Sequence, residues 1–297
     1  MDDSKMYKAL LKQQNRQRHE HDESRGTLAE NTHLQNVLGQ GTHKVEAPYR
    51  VERISKSRYR TGSDEPVIKY NPSISLDRIE NPVPLSIAEL RERKLVYPTM
   101  PNKAILNAYR ELRIKLRDRS VNSNGLIMMS SLSRKVSSIH TAFNLAITFA
   151  MDSQTSALLV DCNPYEEDLA KLVSVPLAEG ITDYVASPDM DVKQIIYPSG
   201  IDRLSVIPAG NLATSAVELF SSDRMKQLMS ELKNRYPDRF LVMYAPPFTL
   251  STEARILVRY ADHTVFTVPF GDLSADDVLD SIDGVNQDTF AGLVYQE

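Results

Sequence analysis

Apolar positions along the chain follow two regimes. From residue 126 onward, short uninterrupted apolar runs alternate with longer stretches whose apolar residues recur every three or four positions. The runs predict buried strands over 126–130, 157–161, 203–208, 240–245, 263–268 and 291–295. The intervening stretches predict helices: one carrying Ala142, Leu145 and Ala146, then 166–173, 177–186, 215–236 as the longest, 252–260 and 275–282. Buried strands alternating with amphipathic helices specify a doubly wound α/β fold with a mostly parallel sheet. Ahead of it, 102–119 reads as a helix with Ala104, Ile105, Ala108, Leu112 and Leu116 turned inward.

The leading part has no such rhythm. Residues 19–100 are polar, charge-dense at 20–23 and 51–60, and broken at Asn81-Pro82-Val83-Pro84. That composition predicts a largely disordered linker holding one short helix over 86–94. Residues 4–18 predict a docking helix with Ser4 as its cap and Met6, Ala9, Leu10 and Gln13 on one side. So short a helix is marginal alone and needs a partner. The expected regions are therefore 1–18, 19–100 and a domain over 101–297.

Composition narrows the function classes. The chain has 297 residues, 41% of them hydrophobic, enough for a sizeable core. A single cysteine, Cys162, excludes a disulfide framework and fits a reducing compartment. No run of 18 apolar residues exists and the N-terminus lacks a signal-peptide core, so a cytoplasmic protein without a membrane span is expected. Residues 1–120 carry 23 Lys+Arg against 16 Asp+Glu, and the remainder 12 against 23. A basic leader before an acidic body suits an anionic membrane face or an acidic partner surface. Nucleic acid is not expected, because the body is acidic and the linker's basic residues lack aromatic interleaving apart from Tyr49 and Tyr59. His19 and His21 flank Glu20 without a second ligand cluster, so no metal site is expected there.

The candidate chemistry lies in LIMMSSLSRKVSSIHTAFNLA, residues 126–146: a strand, a polar turn over 131–138, and a helix. Strand, phosphate-cradling turn and helix make the layout of a nucleotide site. Ligands in such sheets gather beyond the carboxyl ends of the strands, here 130–138, 161–164, 208–211, 245–249 and 269–273. Yet the turn has no glycine, and Ser138-Ile139 stands where Lys-Ser/Thr would be needed. Elsewhere Asn107, Arg110 and Arg113 recur every third residue, which places them on a second face of their helix.

The order SSL…NLA, LLVDCNP, LSVIPAG, VELFSSDRMKQLMSELKNRYPDRFLVMYAPP and YADHTVFTV resembles the bacterial tyrosine kinases of capsule and exopolysaccharide synthesis. These are deviant-Walker P-loop ATPases, related to the partition and septum-site ATPases. The resemblance covers about 104–295, and IPAG followed by VELFSSDRMKQLM favours the polysaccharide branch. SKMYKALLKQQ resembles the N-terminal helix of stand-alone cytoplasmic members, and Arg110 with Arg113 resembles the family's E-x-x-R-x-x-R oligomerisation motif, with Asn107 at the glutamate position. By the same resemblance, Ser137 stands at the last loop glycine, Ser138 at the lysine and Ile139 at the metal-binding hydroxyl. Asp161 matches the first carboxylate of the second acidic motif, Asn163 its second, and Tyr244 the Walker B aspartate. The family's C-terminal tyrosine run has no counterpart before Glu297.

Phosphoryl transfer rests on positioning and charge, and losing such a group often costs two orders of magnitude or more. The resemblance therefore implies a catalytically degenerate pseudo-kinase, with no cofactor, acting through protein contacts in polysaccharide synthesis and export. Implied partners are a chain-length-determinant type membrane protein, a sister tyrosine kinase or a second copy, with peripheral attachment at the inner membrane through that partner. The alternative is an active ATP- and Mg²⁺-dependent tyrosine autokinase or ATPase regulating chain length, with a rearranged site using Lys135 and Asp161. A partition- or septum-type localisation ATPase is the second alternative; it predicts a terminal membrane helix that the C-terminus does not offer.

Overall fold

The computed structural model describes residues 81–120, 125–235 and 239–296. The expected helix over 4–18, the histidine pair and the linker up to residue 80 lie outside the described residues. In chain order the elements are α1 (Ile87–Glu92), α2 (Lys103–Arg119), β1 (Leu126–Ser131), α3 (Ile139–Ala150), β2 (Ser156–Asp161), α4 (Ile181–Ala186), β3 (Tyr197–Pro198) and β4 (Leu204–Ile207). They continue with α5 (Ala216–Ser221), α6 (Asp223–Arg235), β5 (Arg239–Tyr244), α7 (Thr252–Leu257), β6 (His263–Pro269), α8 (Ala275–Asp283) and β7 (Phe290–Gln296). The strands form one sheet in the order β3-β4-β2-β5-β1-β6-β7. Every pairing is parallel except the short antiparallel contact of β3 with β4.

The strand period of two divides the core into two layers. Leu126 and Met128 of β1, with Leu241 and Met243 of β5, face the layer that includes α4 to α8. Ile127 and Met129, with Val242 and Tyr244, face the layer that includes α2 and α3. Both faces of β1, β2 and β5 are thus buried, which is why their sequences read as unbroken apolar runs. In the second layer Phe149 and Phe240 stack with ring centroids 4.2 Å apart, a pair whose truncation costs on the order of 3–5 kcal/mol per ring.

The structure corrects several expectations. The α/β unit begins by residue 81, not 101. Leu85, Leu95, Val96 and Tyr97 are buried, and Ser86 and Glu89 form a reciprocal capping box that starts α1. Asn144 of α3 pins this segment, accepting from Val96 N at 2.9 Å and donating to Lys94 O at 3.3 Å. The apolar count of 81–100 was diluted by its prolines and charges, so the sequence read as linker. On α2 the inward residues are Leu106 and Leu116, whereas Ile105 is 46% exposed. The helix is rotated so that Leu106, not Ile105, enters the core.

The expected helix over 215–236 is two helices. Ser222 is extended (ψ 158°) and its hydroxyl accepts from Met225 N at 3.2 Å, capping α6. Over 166–173 only the 3₁₀ turn Asp168–Lys171 forms. The two-residue β3 was not foreseen, being too short for a period to register. No helix among the described residues is long and apolar enough to cross a membrane.

Candidate functional site

Parallel pairing sets the carboxyl ends of β1, β2 and β5 side by side: Met129 aligns with Tyr244, and Asp161 with Tyr244. The turn after β1 and the 162–168 segment after β2 open over the same edge. There the Tyr244 hydroxyl is the hub of a closed polar cluster. It donates to Glu166 Oε2 at 2.8 Å and accepts from Asn163 Nδ2 at 3.0 Å. Ser137 Oγ lies 3.0 Å away and also 3.2 Å from Glu166 Oε2. With its one proton given to Glu166, the phenol oxygen accepts from Asn163 and has a lone pair for Ser137, whose single proton is shared between Tyr244 and Glu166 Oε2. Burial, and the acceptor Glu166, hold the Tyr244 proton far above the ordinary phenol range, against the pull of Ser137 and Asn163.

Asp161 sits beneath this cluster, 3% exposed, with Oδ1 accepting from Asn163 N at 2.8 Å. Burial drives its pKa from 3.8 to about 8; the Asn163 N–H pulls it down, and Glu166 and Asp168 push it further up. At neutral pH the carboxyl is therefore mostly protonated.

The turn itself is held by its own serines. Ser133 N donates to Ser131 Oγ at 3.0 Å, Lys135 N to Ser133 Oγ at 3.2 Å, and Ile139 N to Ser137 Oγ at 3.4 Å. These three backbone N–H groups are thus taken up by neighbouring hydroxyls. Ser133 Oγ and Lys135 Nζ both bind Asp272, in the loop after β6. Lys135 first, then Ser133, keeps the Asp272 carboxyl below its usual range. Ser138 is buried at the start of α3, its hydroxyl without a protein partner, and Ile139 is fully buried in the core.

Of the residues singled out in the sequence, the structure gathers Ser137, Asp161, Asn163 and Tyr244 into one cluster. Lys135 goes to Asp272, and Ser138 and Ile139 face protein. Asn107, Arg110 and Arg113 do not share one open face. Asn107 Oδ1 accepts from Arg110 Nη1 at 3.5 Å, whereas Arg113 is tucked against α3, donating to Thr148 O at 2.7 Å. Two members of the site escaped the sequence reading. Glu166 was placed inside an expected helix, and its signal was its position three residues after Asn163 in a strand-end segment. Asp272 lies within the 269–273 strand end, but nothing in the sequence ties it to Lys135. Among the described residues no cluster of three or more His, Cys, Asp or Glu could hold a metal ion.

No protein-family model matches the chain. By sequence it is homologous to Escherichia coli (strain K12) "Tyrosine-protein kinase etk", 23% identical over 188 residues, 63% of this chain. The chain matches only 25% of the length of that relative. By fold it is similar to the chimerical protein CapA2B2, with a TM-score of 0.61 and 19% identity, covering 74% of this chain and 95% of that one. It is likewise similar to the kinase domain of Escherichia coli tyrosine kinase ETK, with a TM-score of 0.60 and 22% identity over 72% of this chain and 88% of that one. The BceF tyrosine kinase domain gives a TM-score of 0.58 at 20% identity, over 72% and 91% of the two chains. The fold is that of a P-loop protein of bacterial-tyrosine-kinase type.

Proposed function

We propose that this bacterial-tyrosine-kinase-like P-loop protein is a catalytically silent, cytoplasmic component of exopolysaccharide or capsule synthesis and export, acting by protein–protein contact. One observation carries the reading: the Tyr244 hydroxyl is bonded to Glu166, Asn163 and Ser137 at the strand ends where the family resemblance puts phosphate and metal. A phenol at the end of β5 supplies no negative charge to orient a cation, and its ring takes up volume next to the turn.

The rest of the site agrees. ATP with Mg²⁺ is a poor fit to these residues: Ile139 offers no side-chain oxygen, Ser138 no charge, and the Ser133, Lys135 and Ile139 N–H groups are bonded to serine hydroxyls. The rearranged alternative needs Lys135 to serve the site together with Asp161, yet Lys135 is bound to Asp272. A tyrosine-kinase fold without its charge machinery keeps surfaces, and surfaces bind partners. The favoured partner is the cytoplasmic segment of a chain-length-determinant type membrane protein, with a sister kinase or a second copy as the other candidates.

Calorimetry on the full chain tests the silent site directly. No heat is expected from ATP with Mg²⁺ at concentrations up to about 1 mM, where a working site binds in the micromolar range. Micromolar, magnesium-dependent binding overturns the reading. Titration with the purified cytoplasmic segment of a chain-length determinant from the same organism tests the partner.

A further inference from the structure

A cavity of about 880 Å³ opens between α7 and α8. It lies on the sheet face opposite the Tyr244 ring, since Phe248 and Val285 belong to one core layer and Tyr244 to the other. Its origin is local. The β5-to-β6 crossover carries only the six-residue α7 and the 3₁₀ turn Val258–Tyr260, too little to close against the nine-residue α8. Gly284, at the end of α8, keeps the floor open: a Cβ there would come within 3.3 Å of the Phe248 ring.

The walls have distinct chemistry. Arg255 and Arg259 stand one helical turn apart on one side, both exposed, and neither is in an ion pair among the described residues. Two guanidinium groups at this spacing suit one carboxylate or phosphate. Across from them, Asp277 is occupied by its Ser274 capping bonds, which leaves the Asp280 carboxylate available. Asn286 Oδ1 accepts from Asp288 N at 3.0 Å and Thr289 Oγ1 donates to Asn286 O at 2.9 Å, so on that side the Asn286 amide N–H and the Thr289 oxygen lone pairs remain for a ligand. A bare anion would meet Asp280, and a cation would meet the arginines. A ligand with one anionic group and several hydroxyls satisfies both walls, with its carbon skeleton over Phe248 and Val258.

The geometry points to an acidic saccharide, a uronic acid or a sugar phosphate, as the ligand of the α7–α8 groove. Its anionic group sits between Arg255 and Arg259 and its hydroxyls reach Asp280, Asn286 and Thr289. This goes beyond the scaffold reading, which rests on the opposite face of the sheet and stands whether or not the groove binds.

The test is calorimetric titration of the full chain with glucuronic acid, glucose 1-phosphate, glucose and inorganic phosphate. At least one acidic sugar is expected to bind tenfold or more tighter than both glucose and phosphate, about one charge-assisted contact's worth of discrimination. Which acidic sugar binds tighter separates the uronate from the sugar phosphate. Arg255→Ala with Arg259→Ala is expected to weaken the acidic sugar at least about tenfold, and Asp280→Asn to weaken it without weakening inorganic phosphate. All three positions are exposed, so the fold should persist by circular dichroism; should the double variant fail to fold, Asp280→Asn carries the test alone. Phosphate or glucose binding as tightly as the better acidic sugar, unchanged binding in the variants, or no binding of any probe up to about 10 mM overturns the proposal.

Discussion

Replacing Asp161 by asparagine isolates what burying that carboxyl does to the fold. Its pKa is raised to about 8, mainly by burial. The unfolded chain releases this proton near 3.8, the folded chain only near 8. Between those values the folded state holds the extra proton, so stability falls as pH rises and levels off above the folded value. At about 1.4 kcal/mol per pKa unit, the full span sets a ceiling of roughly 6 kcal/mol. Relaxation and water entry around a charged Asp161 reduce that to a working figure of about 3 kcal/mol. Asp161→Asn keeps an acceptor for the Asn163 N–H and removes the titration. It should be more stable than the parent by about 1.5 kcal/mol near pH 5 and by about 3 kcal/mol near pH 9. Because the chain has no tryptophan, urea unfolding is best followed by far-ultraviolet circular dichroism. An equal difference at both pH values, or a parent that gains on the variant as pH rises, refutes the reasoning.

Tyr244→Phe strips the hydroxyl from Asn163, Glu166 and Ser137 and should lower stability by about 1–3 kcal/mol in the same assay. Arg113→Ala should cost about 2 kcal/mol through the lost bond to Thr148 O, whereas Arg110→Ala should stay within about 0.5 kcal/mol. Gly210 has φ +91° and a Cβ there would lie 2.4 Å from Thr182 Oγ1; Gly210→Ala should cost about 2–3 kcal/mol, read as a fall in Tm. Burial is the leading cause that lowers the pKa of His263. Its folded pKa lies below the unfolded 6.5, so the stability it supports is present above pH 6.5 and lost as pH falls through the folded value. His263→Gln should flatten that acid limb in unfolding curves.

The sheet was legible because β1, β2 and β5 are buried on both faces, leaving runs such as FLVMY that no surface helix would carry. The serine-rich turn was legible as a polar strand-to-helix connection, since the absence of glycine from 131–138 and of a lysine at Ser138 is visible without coordinates. What filled the gap was not. Tyr244 read as the residue at the Walker B aspartate position, and only the fold shows Glu166 and Ser137 arriving from two other loops to bond it. On α2 the later part of the apolar stripe, Leu112 and Leu116, was read correctly and its start was not, because Ile105 and Leu106 are adjacent and only packing selects between them. The break at Ser222 lay inside a sequence whose helical period is nearly continuous. There a local hydroxyl cap outweighs propensity.

The packed segment at 81–100 also bears on where the domain can be cut. Asn81 Nδ2 donates to Ile201 O at 2.9 Å, Leu85 N to Gly200 O at 2.8 Å, and Arg93 Nη1 to Val173 O at 2.8 Å. With Asn144 of α3 bonded to Val96 N, the segment is fastened at three separate places, and Leu85, Leu95 and Val96 share a core layer with Tyr244. Detaching it would therefore strip a buried layer of the domain and not merely free a tail.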